Sequence, residues 1–203
     1  MRIDLRFTNR PLEELWCQAV VAFSFKVRDK LSLILDSIDK KMTGSIRNIV
    51  QAGIWTGDCG DKLLLATQSS IRADKLLIHG LGEETKYSID VLKMEIEHTG
   101  NALLKMGITE FGLQIPDTGR SQTPFDIHIE TAVKKVVCIY LDRYREVPDF
   151  ILKIYISINN DLMMLAEKAA DRLRNYFSPV TGCSIIVDRG LSYQVASVPG
   201  LAA

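Results

Sequence analysis

The segment that decides the fold runs from Ala73 to Gly119 and has the sequence ADKLLIHGLGEETKYSIDVLKMEIEHTGNALLKMGITEFGLQIPDTG. Its pattern predicts a strand, a helix and a second strand. The first apolar run is Lys75–Ile78, and the second, Ile108–Ile115, ends at Pro116. Between them, apolar residues recur at helical spacing after Ser88, a residue type that caps helices. Two strands joined by one amphipathic helix form a right-handed βαβ unit with parallel strands.

Toward the N-terminus, the pattern predicts two strands and an interrupted helix. Arg2–Phe7 alternates charged and apolar residues, which is typical of a half-buried strand at or near a sheet edge. Ala19–Phe25 is apolar throughout and predicts a more deeply buried strand. A helical stripe follows from a cap at Asp29, and residues 43–44 (Thr-Gly) interrupt it, so we expect either two helices or one broken helix.

The remaining elements alternate between strand and helix. Leu63–Thr67 is predicted to form a hairpin with the strand at Lys75, because the link is too short for a crossover helix. Thr123 is predicted to cap a long helix with Pro124 at its first position. Strands are then expected at Ile151–Ile156, Cys183–Val187 and Ser192–Ala196, with a helix after residues 159–161. This order predicts an α/β fold, a three-layer α/β/α sandwich with a mixed, mostly parallel sheet, as one domain over residues 1–203.

Composition excludes several classes of protein. The chain has 203 residues, of which 47% are hydrophobic, and its 25 basic residues equal its 25 acidic ones. Because there is no basic excess, we expect no nucleic-acid binding, and because no apolar run is long enough to span a bilayer, we expect no membrane contact. The N-terminus has no secretory leader pattern, so the four cysteines are expected to be reduced thiols in a cytoplasmic protein.

Four segments carry a resemblance to a known family. They are LDSIDKKMTGSIRNIVQAGIWTG at Leu35–Gly57, the strand at Lys62–Leu65, ADKLLIHGLG at Ala73–Gly82, and the helix and strand of Asp90–Pro116. In order and spacing they resemble the N-terminal domain of the leucyl (cytosol) aminopeptidases, peptidase family M17. The resemblance implies a macro-domain-like fold.

The resemblance implies a fold and no peptidase chemistry. In that family, catalysis belongs to a separate C-terminal domain, where an NTDAEGR-type signature supplies metal-binding carboxylates, and this signature does not occur in these 203 residues. We therefore expect no catalytic residue, no metal ligand and no cofactor, and the chain leans toward a non-enzymatic role. Macro domains bind ADP-ribose through asparagine- and glycine-rich loops, whereas the corresponding stretch here, Lys26–Lys30, has neither residue type, which argues against that ligand.

Two loops are candidate ligand sites. The first follows a strand and precedes a helix, where backbone amides favour anions; its residues are Asp117, Thr118, Gly119, Arg120 and Ser121. Arg120 can add a charge-assisted hydrogen bond to a phosphate. The second contains Gly80 and Gly82, after another strand. Both loops are equally compatible with plain turns. The three histidines, His79, His98 and His128, are expected to be hydrogen-bonded structural residues.

Three functions stay open at this point. The first is a non-catalytic macro-like module that contacts a protein partner or associates with itself. The second is a small-molecule binder or hydrolase of the nucleotide or ADP-ribose type, with only weak affinity for a simple anion. The third is an aminopeptidase by family only, with no active domain present.

Overall fold

The computed structural model of the chain describes residues 1–27, 31–117 and 123–188. These residues contain seven strands: β1 (Arg2–Thr8), β2 (Ala19–Ser24), β3 (Lys62–Ala66), β4 (Lys75–Gly80), β5 (Glu110–Gln114), β6 (Ile151–Ser157) and β7 (Gly182–Asp188). They also contain five α-helices: α1 (Leu33–Lys41), α2 (Ser45–Gln51), α3 (Ile89–Lys105), α4 (Phe125–Tyr144) and α5 (Met163–Phe177). Short 3₁₀ turns precede β2, α3 and α5.

All seven strands form one sheet in the order β3-β4-β2-β5-β6-β1-β7. Every pairing is parallel except the β3–β4 hairpin, which is antiparallel. The predicted mixed, mostly parallel sheet and the predicted hairpin are therefore confirmed. β1 lies second from an edge, as its alternating sequence indicated.

Strand β2 shows how the sheet separates two apolar layers. Ala19, Val21 and Phe23 pack into the layer that contains α3, α4 and α5, whereas Val20 and Ala22 pack into the layer with α1 and α2. Because both faces of the strand are covered by helices, its sequence is a continuous apolar run without alternation. The predicted α/β/α sandwich follows directly from this arrangement.

The predicted central βαβ unit is present, and β2 lies between its two strands in the sheet. β4 and β5 both run parallel to β2 and flank it on its two sides, so the α3 crossover passes over β2. Ser88 caps α3 by accepting a hydrogen bond from the Val91 amide at 3.3 Å. Gly107 follows the helix with φ of 68°, the left-handed conformation that glycine adopts at lowest cost.

The first helical stripe is two helices, α1 and α2. Thr43 and Gly44 both have positive φ, of 55° and 82°, and this reverses the chain between them. Asp39, which is buried in α1, accepts hydrogen bonds from the amides of Ile46 at 2.8 Å and Arg47 at 3.2 Å. A carboxylate from α1 thus caps the start of α2.

Two helix caps lie one to three residues away from their predicted positions. Asp29 lies outside the described residues, and the cap of α1 is Ser32, whose hydroxyl accepts from the Leu35 amide at 3.4 Å. Pro124 is the N-cap of α4 and not its first helical residue, because its ψ of 144° is extended. The strand predicted at Ser192–Ala196 lies outside the described residues.

The apolar side chains of the central strands and helices are buried. Each of seven side chains is at most 2% exposed: Leu77, Ile78, Leu103, Phe111, Leu113, Val136 and Ile154. All four cysteines are free thiols. No helix in the described part of the chain has both the length and the hydropathy needed to cross a bilayer.

Candidate functional site

A cavity opens at the carboxyl edge of the parallel strands. It has a volume of about 450 Å³ and lies where β2, β5 and β6 end, at Ser24, Gln114 and Ser157. Cavities of about 300–1,000 Å³ are typical of small-molecule sites, and in open α/β sheets ligands bind outside the carboxyl ends of the strands. The sheet topology therefore builds this cavity in the place where such folds hold ligands.

Aromatic rings form one wall of the cavity. Phe25 and Phe125 line it, and the rings of Tyr87 and His128 connect these two phenylalanines. The Phe25 ring meets Tyr87 edge-on with centroids 5.3 Å apart, Tyr87 meets His128 at 5.8 Å, and His128 meets Phe125 at 6.5 Å. Burial raises the pKa of Tyr87 and lowers the pKa of His128, so both rings are neutral at neutral pH. This continuous set of edge contacts fixes the Phe25 and Phe125 rings as an apolar part of the cavity lining.

Three helical segments begin at the cavity. Ser32 and Leu33 belong to the start of α1, Phe125 to the start of α4, and Asn159 and Leu162 to the turn that leads into α5. The amino end of a helix carries partial positive charge and favours anions. The cavity thus combines an apolar wall with the amino ends of helical segments.

Among the predicted site residues, Asp117 lines this cavity, three residues after the end of β5. Thr118, Gly119, Arg120 and Ser121 lie outside the described residues. The expectation that the first candidate loop binds a ligand stays a prediction.

Gly80 and Gly82 lie in a different, tightly packed turn. The Gly80 amide donates to the Asp61 carbonyl at 2.8 Å and the Gly82 amide donates to the Gly57 carbonyl at 3.0 Å. A Cβ on Gly80 would collide with the Asp58 carbonyl oxygen. These contacts give the two glycines a packing role, and neither lines the cavity. Their predicted ligand role stays untested.

A buried polar cluster surrounds His79 at the end of β4. The His79 imidazole is fully buried; its Nε2 contacts Oε2 of Glu95, and its Nδ1 lies 2.7 Å from the Thr99 hydroxyl. His98 places its Nδ1 3.2 Å from the same Glu95 oxygen, and Cys59 donates its thiol to the other oxygen at 3.1 Å. His79 is hydrogen-bonded, as the sequence led us to expect.

The ionisation of this cluster follows from burial and hydrogen bonding. Burial lowers the pKa of His79, against the opposing effect of Glu95. Burial acts to raise the pKa of Glu95, but hydrogen bonds from Cys59, His79 and His98 outweigh it, and the pKa lies below its ordinary value. Burial, together with Glu95, raises the pKa of Cys59 to about 11, so Cys59 is a thiol at neutral pH.

The sequence analysis missed this cluster, although it contained a signal. Glu95 and His98 form a Glu-x-x-His pair on α3, and residues three apart on a helix share a face. His79 could not be added to the pair from the sequence, because only the packing of α3 against β4 brings it there.

The fold defines a class of protein, the macrodomain-type α/β sandwich. The structure of the ganglioside induced differentiation associated protein 2 macro domain superposes with a TM-score of 0.62 at 13% identity, covering 84% of this chain and 82% of that one. The Trypanosoma brucei macrodomain in complex with ADP-ribose gives 0.62 at 14% identity, covering 81% and 68%. At these identities, the likeness establishes the fold alone.

Within that class, the sequence profile of the cytosol aminopeptidase family, N-terminal domain, matches residues 20–144, and the chain belongs to this family. The resemblance seen in the sequence is thereby confirmed. A probable cytosol aminopeptidase of Sulfurihydrogenibium sp. is 28% identical over 91 residues, and one of Baumannia cicadellinicola is 25% identical over 174 residues. A variant of tomato leucine aminopeptidase superposes with a TM-score of 0.62 at 12% identity, covering 83% of this chain and 35% of that one.

The matched relatives are much longer than the matching region. The alignments cover 45% and 83% of this chain but only 18% and 34% of the Sulfurihydrogenibium and Baumannia proteins. The match therefore concerns the fold of this region and not the activity of the full-length relatives.

Proposed function

We propose that this chain is a non-catalytic binding module whose ligand is a nucleotide-type molecule, such as ADP-ribose, held in the carboxyl-edge cavity. The observation that carries the proposal is the convergence of three helix starts and an aromatic wall on one cavity at the ends of β2, β5 and β6. The Trypanosoma brucei macrodomain, a protein with this fold, forms a complex with ADP-ribose.

Each part of such a ligand has a chemical counterpart in the cavity. The aromatic wall of Phe25 and Phe125 suits a base, and the helix starts suit a diphosphate. Carboxylates such as Asp117 and Glu84, which also line the cavity, accept hydrogen bonds from ribose hydroxyls. Because Lys26–Lys30 has no glycine to let the backbone approach the diphosphate, we expect weak binding, with a Kd on the order of 0.1–1 mM.

The test is calorimetric titration of the purified chain with ADP-ribose, with a variant at the cavity rim. Leu33 lines the cavity and is 91% exposed, so Leu33→Glu leaves the core intact and places a negative charge where the diphosphate is expected. We expect this change to weaken binding at least about tenfold. Ile54→Glu is the matched control, because Ile54 is 74% exposed and is not among the cavity residues. Absence of binding at about 1 mM, or equal affinity in both variants, would contradict the proposal.

A second candidate function is self-association or contact with a protein partner, and β3 supports it. β3 is an edge strand of the described sheet, and its Leu64 is 48% exposed. Exposed apolar edge strands pair readily with another strand, and a formal net charge of zero sets up little repulsion between copies. Light scattering tests it: Leu64→Lys should lower the measured mass of any oligomer, and a parent that stays monomeric at high concentration would refute self-association.

As part of the same proposal we place the chain in the cytoplasm. Its relatives are named cytosol aminopeptidases. Its four free thiols agree with a reducing compartment.

A further inference from the structure

The side chains of His79, Glu95 and His98 converge on one point away from the carboxyl-edge cavity. His79 comes from the end of β4, and the other two come from one face of α3. Their ligating atoms all lie within 4.8 Å of one another, and Glu95 Oε2 is shared by both imidazoles. Two imidazoles and one carboxylate are a donor set that divalent transition metals take in proteins.

Thr99 determines which nitrogen of the His79 ring is protonated. The other nitrogen then presents a lone pair to the carboxylate of Glu95. The Thr99 hydroxyl is 2.7 Å from the main-chain carbonyl of Glu95, one turn back on α3, and donates its single proton there. At His79 Nδ1, 2.7 Å away, the same oxygen must therefore accept, and Nδ1 carries a proton. A neutral His79 then directs the lone pair of Nε2 at Glu95, and Nε2 can donate a hydrogen bond to that carboxylate only while the ring carries a second proton. The contact between Nδ1 and Thr99 is the outer hydrogen bond that orients metal-ligating histidines.

A lone pair facing a carboxylate oxygen requires a positive charge between them. Glu95 is 1% exposed, and within the described residues its ion pairs are to the two histidines, with no lysine or arginine among them. An unpaired buried carboxylate is costly. A proton shared with His79 supplies part of the compensation, and a divalent cation supplies all of it while satisfying both imidazoles.

We propose that His79, Glu95 and His98 are the three protein ligands of a divalent transition-metal site, with zinc as the ion that fits it. Tetrahedral zinc with bonds of about 2.0–2.1 Å separates its ligand atoms by about 3.3 Å. The separation of 3.2 Å between His98 Nδ1 and Glu95 Oε2 agrees with that value. The contact between His79 and Glu95 must widen when the ion enters, by rotation of the Glu95 side chain.

The site is open to solvent on one side, and a hydrogen bond fixes the carboxylate of Glu95. The His98 side chain is 48% exposed, so an ion can reach the cluster from outside. Cys59 holds the second oxygen of Glu95 and limits the carboxylate to one ligating oxygen. Because this site is separate from the cavity, its occupancy can be tested independently of nucleotide binding.

The experiment is a zinc titration of purified protein that has been stripped with a chelator and desalted. We expect one zinc ion to bind per chain. His98→Ala should weaken zinc affinity at least about tenfold, and because this side chain is half-exposed, the variant should keep the parent's circular dichroism spectrum without metal.

Glu97→Gln is the matched control. Glu97 lies on the same helix, is 48% exposed and pairs with Lys135, and because it affects His98 only through its charge, its replacement should change zinc affinity less than about threefold. The pair of variants separates this site from adventitious binding at other cysteines or histidines. Absence of zinc binding at about 100 µM, or equal affinity in His98→Ala and the parent, would overturn the proposal.

Discussion

Replacing Gly80 by alanine distinguishes the two interpretations of the glycine-containing turn after β4. The added Cβ would collide with the Asp58 carbonyl oxygen and lie 2.7 Å and 2.9 Å from the carbonyl carbon and oxygen of Gly57. These are backbone atoms, which cannot move aside as the end of a flexible side chain can. If the turn is packing, the variant must unfold more easily.

The magnitude follows from the contacts. Overpacking costs about 1–3 kcal/mol. Moving the turn also weakens the hydrogen bonds from Gly80 to Asp61 and from Gly60 to Gly80, at about 0.5–1.5 kcal/mol each. We expect the free energy of unfolding to fall by about 2–6 kcal/mol, and the Tm by about 6–18 °C for a chain of this size.

The assay is equilibrium urea denaturation followed by circular dichroism and by fluorescence of the buried Trp55. Gly182→Ala is the control: Gly182 is also a strand glycine, and its Cβ would meet only Arg2 Cγ at an ordinary 3.7 Å. The control should lie within about 0.5 kcal/mol of the parent or slightly above it. If Gly80→Ala unfolds like the parent but has lost nucleotide binding, the packing interpretation is refuted and the ligand interpretation is supported.

Three further predictions concern the core, the acid response and the chemistry. Tyr140→Phe removes a buried hydroxyl that donates to the Ile108 carbonyl at 2.6 Å, and urea denaturation should show a loss of about 1–3 kcal/mol; an unchanged midpoint would refute this. Burial acts to raise the pKa of Glu130, but hydrogen bonds from Lys134 and Arg172 outweigh it, so the pKa lies below its ordinary value of 4.5. The stability it contributes is therefore present above pH 4.5 and lost as the pH falls through the lower folded value, and the difference between the parent and Glu130→Gln should shrink from pH 7 to about pH 3. The purified 203-residue chain should not release leucine from leucine amide with zinc or manganese supplied, and metal-dependent release would contradict the non-catalytic proposal.

Much of the fold was predictable because local patterns determine single elements. Ser88, Gly107 and the break at residues 43–44 each set a helix end through backbone chemistry that a short segment contains. The neighbours of β2 were not predictable, because an apolar run such as Ala19–Ser24 shows that both faces are covered but not which strands lie beside it. That information depends on contacts between distant segments.

The candidate sites also contain features that the sequence could predict and features that it could not. Placing Asp117 at a carboxyl edge required only the direction of one strand. The aromatic wall required Phe25, Tyr87 and His128 to meet from three separate parts of the chain, and no spacing in the sequence indicates that meeting.

The position of β1 has a consequence for the order in which the protein is made. Arg2, which leaves the ribosome before every other strand of the described sheet, pairs with Ile151 and with Gly182. β1 therefore stays unpaired until nearly all of the described chain has been synthesised. During that time one apolar face of the strand is uncovered. β2, β3, β4 and β5 can assemble earlier, since all of their partners except β6 lie within residues 19–114. During synthesis β1 is the strand most open to capture by a chaperone or by a neighbouring nascent chain.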